Sequence, residues 1–118
     1  MSRTRPRRSL KGMILICVKW KVKPEHAEAW PEITREFTEA TRAEPGNHFF
    51  EWSRSLADPN EYVLLEAFDD DAAEAHVTSD HFQKARQDLP QYVQETPLIR
   101  NIQGQPAEWD RLGEFQAD

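Results

Sequence analysis

Between Glu44 and Asp71 the chain reads EPGNHFFEWSRSLADPNEYVLLEAFDDD, a stretch that gathers aromatic rings and carboxylates. Phe49, Phe50, Trp52, Tyr62 and Phe68 supply flat faces, and Glu66 interrupts the apolar run from Tyr62 to Phe68. Such rings either wall a site for a flat ligand or fill the inside of a hairpin. Glu66 is the more informative residue, because a half-buried carboxylate needs a partner. A salt bridge to Arg54 or to a lysine of the first strand answers that need structurally. A place beside a solvent-reaching cavity answers it functionally.

Four histidines raise the question of a metal, and spacing argues against one. His76 and His81 are five apart, so a continuous helix would not present both on one face, and no cysteine or carboxylate pattern completes a site. A phosphate-binding glycine loop is also missing, since Gly46 and Gly104 stand alone. The sequence therefore predicts no metal and no nucleotide cofactor.

The elements that position these residues follow from apolar spacing. From Met13 to Lys23 the even positions Ile14, Ile16, Val18, Trp20 and Val22 are all apolar, while the odd ones turn from Leu15 and Cys17 to lysines. That is a strand with one face buried and the other half buried. Pro24 suits a helix start, and Trp30, Ile33, Phe37 and Ala40 form one stripe, predicting a helix from Pro24 to Ala43 with a kink or later start at Pro31. Glu44-Pro45-Gly46 breaks it. Strands at 48–55 and 62–68 flank an Ala57-Asp58-Pro59-Asn60 turn. A short helix through Val77, a second from His81 to Leu89 behind a Ser79-Asp80 cap, and a strand at 98–103 complete the order.

This β-α-β-β-α-β order predicts an α+β, ferredoxin-like fold with a four-stranded antiparallel sheet. Both sheet faces carry apolar residues, so a second copy of the chain is expected to cover the face away from the helices. At 118 residues the chain fits one domain. We expect a basic arm at 1–12, outside the fold, the domain at 13–103 and a tail at 104–118. The tail carries Trp109, Leu112 and Phe115 and is expected to dock. A net charge of −6 disfavours nucleic acid, and the longest apolar run, Met13 to Val18, is far short of a membrane span. A single cysteine, Cys17, fits a cytoplasmic protein.

Three segments in this order, EPGNHFFEW, DPNEYVLLEAF and AAEAHVTSDHF, resemble the antibiotic-biosynthesis monooxygenase (ABM) domain over roughly Met13 to Gln103. The resemblance implies a dimeric α/β barrel, a homodimer with two sheets face to face and a pocket between sheet and helices in each subunit. It also implies oxidation of a hydroquinone or anthrone-type aromatic by O₂ without metal, flavin or haem. Carried onto this sequence, it makes His76 and Glu66 the candidate catalytic pair. His48, Phe50, Trp52, Phe68 and Phe82 become candidate substrate-binding residues, although Phe50, Phe68 and Phe82 also read as plain core. The haem-degrading branch is similar in an Asn on the first strand and a Trp closing the third, but here there is no such Asn and Phe68 stands in place of the Trp. Two alternatives stay open: a non-catalytic small-molecule-binding module, and an isomerase of a small phosphorylated sugar served by Arg54, Lys19 or Arg100.

Overall fold

A computed structural model describes residues 12–118, so the expected basic arm lies outside the described residues apart from Gly12. The elements are β1 (Met13–Lys21), α1 (Trp30–Ile33), α2 (Arg35–Arg42), β2 (Asn47–Arg54), β3 (Glu61–Asp69), α3 (Ala73–Val77), α4 (Asp80–Asp88) and β4 (Leu98–Gln105). Single 3₁₀ turns lie at Pro24–His26, Leu89–Tyr92 and Gly113–Phe115. The strands form one antiparallel sheet in the order β2-β3-β1-β4, the α+β ferredoxin-like arrangement expected from the element order. Among the described residues no helix is long and apolar enough to cross a membrane.

The helix expected from Pro24 to Ala43 is instead a 3₁₀ turn followed by two short helices. Pro31 falls in the first turn of α1, where its missing N–H breaks no bond. The break comes at Thr34, whose hydroxyl donates to the Trp30 carbonyl oxygen at 2.9 Å, a local bond that competes with a regular helix. Trp30 is fully buried, but Ile33, Phe37 and Ala40 of the expected stripe are only half-buried. The deeper positions are Thr34, Thr38 and Thr41. Thr38 belongs there because its Oγ1 accepts the indole N–H of Trp52 at 2.9 Å.

Register divides the sheet into two faces. Ile14 faces Phe68 across the ladder, Ile16 faces Glu66, and Val18 faces Leu64, and this side packs on the helices. Phe50, Leu64 and Phe68 are essentially inaccessible, each contributing roughly 1.5–3 kcal/mol of burial. The opposite side carries Leu15, Cys17, Phe49 and Leu65, together with Leu98 and Ile102 of the exposed strand β4. The tail reaches this side, with Trp109 5.5 Å from Phe49 between ring centroids. Trp109, Leu112 and Phe115 remain largely exposed.

Close packing at one glycine fixes how the helices meet the sheet. A Cβ on Gly46 would lie 2.3 Å from the Cβ of Ala72, so only glycine lets the α2–β2 turn rest on the β3–α3 connection. The Gly46 carbonyl accepts from the Asp69 amide at 2.8 Å across that contact. The turn thereby carries Glu44 to the helix that bears His76.

Candidate active site

A cavity of about 750 Å³ lies between the helix-covered side of the sheet and α4. Its floor is Ile16, Val18 and Trp20 of β1 with Leu64 and Glu66 of β3. Phe37, His76, Phe82 and Ala85 form one wall, and the segment from Leu89 to Pro97 with Ile99 forms the other. The lining is mainly apolar, which suits a flat hydrophobic ligand held by a few polar groups.

His76 sits between two carboxyl groups. Its Nδ1 is 2.8 Å from Glu44 Oε2, and its Nε2 is 4.0 Å from Glu66 Oε1. The ring is packed by Phe68 at 4.6 Å and Phe82 at 5.0 Å between centroids. Burial lowers the His76 pKa from 6.5, against the opposing pull of Glu44, so the ring is neutral at neutral pH. Burial, followed by the negative charge of Glu44, raises Glu66 from 4.5 to about 8. A buried neutral imidazole beside a buried carboxylic acid can receive one proton and supply another.

Glu44 Oε2 also meets His81 Nε2 at 2.5 Å, so Glu44, His76 and His81 form one cluster. The expectation that His76 and His81 could not converge assumed one continuous helix. The chain breaks between α3 and α4, where the Ser79 side chain caps the Phe82 amide, and both rings reach the same oxygen. The 2.8 Å contact to His76 is that of a hydrogen bond, the 2.5 Å contact to His81 is shorter than an ordinary one, and the three residues each offer one ligand atom within 4.8 Å of the others, a convergence the five-residue spacing had argued against.

Of the residues singled out in the sequence, His76, Glu66 and Phe82 line the cavity. Phe50 and Phe68 lie behind it, packed against His76 with centroids 6.2 and 4.6 Å away. Trp52 belongs to a cluster with Trp20 and Trp30, each 5.7 Å away, and of these Trp20 is the one at the cavity. His48 lies elsewhere, bonded to Asp69 at 2.7 Å, because an irregularity between Asn47 and Phe49 breaks the register of β2. Arg54 pairs with Glu28 rather than Glu66, at 2.8 Å, and no cation pairs with Glu66 among the described residues. Arg54, Lys19 and Arg100 are absent from the lining, where the basic residue is Arg86.

Sequence reasoning missed Glu44 and His81 in the site, and Trp20, Phe37 and Ile99 in the lining. Glu44 was visible only as part of a helix-breaking Glu-Pro-Gly. The family model described as antibiotic biosynthesis monooxygenase matches residues 13–88.

The chain belongs to this family. YcnE of Bacillus subtilis (strain 168), provisionally named a monooxygenase, is 33% identical over 72 residues, covering 60% of this chain and 76% of YcnE. A solved ABM structure from Nitrosomonas europaea, with the same provisional naming, gives a TM-score of 0.73 at 30% identity, over 80% of this chain and 91% of that one. The fold is also that of a conserved protein from Methanosarcina mazei Go1, with a TM-score of 0.74 at 24% identity over 80% and 94% of the two chains. The ABM match ends with the last residue of α4, so the wall from Leu89 to Ile99 lies beyond the matched residues.

Proposed function

We propose that this ABM protein is a cofactor-independent monooxygenase that oxidises a quinol or polycyclic phenol of the anthrone type with O₂. The observation that carries the reading is the His76–Glu66 pair in the lining of an otherwise mainly apolar cavity. An electron-rich phenolate can itself reduce oxygen, so the protein has to bind a flat ring, move protons and exclude water. Trp20, Phe37 and Phe82 hold the ring, and His76 takes the phenol proton.

The phenolate then passes one electron to O₂, and the resulting radical pair recombines to form a carbon–oxygen bond. Glu66 protonates the peroxide and is reprotonated by His76. The O–O bond breaks as hydroxide leaves with the ring C–H proton as water. One oxygen atom stays on the ring as a carbonyl, and no electron is left over. The working unit is a homodimer, in which a second copy covers Leu15, Cys17, Phe49, Leu65 and Ile102 on the outer side of the sheet.

The test is O₂ consumption by purified protein over a panel of hydroquinones and anthrones, with absorbance recorded for any copurifying chromophore. Uptake above the spontaneous rate with one of them supports the reading. Tight binding of the same compounds without uptake replaces it with a binding module.

A further inference from the structure

We propose that Glu44 is a positioning residue for His76: it holds the imidazole proton on Nδ1 and so presents an unprotonated Nε2 to Glu66 and the cavity. This rests on the reading of His76 as the proton acceptor. Glu44 does not line the cavity; it touches the ring from behind, and its charge also helps keep Glu66 protonated.

A carboxylate oxygen accepts hydrogen bonds and donates none. Glu44 Oε2 stands 2.8 Å from His76 Nδ1, so the hydrogen between them belongs to the ring. In a neutral imidazole one nitrogen carries the hydrogen and the other the lone pair. With Nδ1 occupied, the lone pair falls on Nε2, the nitrogen that faces Glu66 Oε1 at 4.0 Å. Phe68 and Phe82 hold the plane of the ring, and Glu44 decides which edge bears the proton.

Glu44 is itself fixed from three directions. Its amide donates to the Thr41 carbonyl at 3.0 Å, and its carbonyl accepts from the Asn47 amide at 3.1 Å. His81 Nε2 donates to the same carboxylate oxygen that His76 uses, which gives His81 a role as the brace of Glu44. The side chain is only 14% exposed, so water does not compete freely for that oxygen.

Without Glu44 the ring is free to carry its proton on Nε2, the form favoured by free histidine in water. Nε2–H then points at Glu66 and has no lone pair for a phenol proton. In Ser-His-Asp enzymes, loss of the orienting carboxylate costs about 10⁴-fold in kcat through the wrong tautomer. Here the expected loss in kcat is about 10²–10⁴-fold at nearly unchanged KM, because the cavity wall is intact.

The decisive readout needs no substrate. Protein labelled with ¹⁵N-histidine is examined by long-range ¹H–¹⁵N correlation at neutral pH, with His76 assigned by its loss in His76→Gln. The wild type is expected to show His76 protonated on Nδ1, and Glu44→Ala, checked as folded by circular dichroism, to show Nε2–H gained. An Nε2–H tautomer in the wild type overturns the proposal without any variant at Glu44. So does an unchanged Nδ1–H tautomer in folded Glu44→Ala, or full kcat in that variant on an accepted quinol. The expected tautomers in a protein that consumes no O₂ with any quinol uphold the positioning and remove the monooxygenase reading instead.

Discussion

Replacing Glu66 by Gln should stabilise the protein at alkaline pH while impairing it as a catalyst. In the unfolded chain this carboxyl loses its proton near 4.5, and in the folded protein near 8. Between those values the folded state holds one more proton, so raising the pH favours unfolding. The contribution of Glu66 is complete below pH 4.5 and is lost as pH rises through 8. The slope is about 1.4 kcal/mol per pH unit, which accumulates to roughly 3 kcal/mol by pH 7 and on the order of 5 kcal/mol by pH 9. Gln has nearly the same shape and does not ionise. Urea unfolding of wild type and Glu66→Gln at one protein concentration, from pH 4.5 to 9, measures the difference, in which groups common to both cancel. The variant should gain on the wild type steadily up to about pH 8 and then level off. Parallel stability curves across that range would refute the burial argument for Glu66.

His76→Ala should lower turnover of an accepted quinol by about ten-fold or more without altering the molecular mass in solution, as steady-state kinetics and light scattering will report. Light scattering at low micromolar concentration should give twice the 13.8 kDa chain mass, and a monomer would remove the second copy from the outer side of the sheet. Gly46→Ala places a methyl 2.3 Å from Ala72 Cβ and should cost about 1–3 kcal/mol, a fall in Tm of at least about 4 °C by calorimetry, with recovery on adding Ala72→Gly.

The strands were legible because alternation is a local property: Ile14, Ile16 and Val18 announce the buried side of β1 wherever the chain goes. The inner side of α2 was less so, because Thr38 and Thr41 are polar by type, and Thr38 is matched there by the indole N–H of Trp52, which no helical period reveals. His48, Phe50 and Trp52 look equivalent at a two-residue period, yet the irregularity before Phe49 sends His48 to Asp69. Glu66 stood out as a carboxylate in an apolar strand, and that anomaly led to the cavity. Glu44 gave no such signal. Its place depends on a glycine contact with Ala72, which sequence position alone does not disclose.

Oxidation of an accepted quinol or anthrone under ¹⁸O₂, followed by mass spectrometry of the product, tests the proposed activity most directly. One ¹⁸O atom should appear in each product molecule in the wild type, with the protein colourless and metal-free throughout and the yield sharply reduced in His76→Ala. Product carrying no label, with the oxygen recovered as hydrogen peroxide, would contradict a monooxygenase.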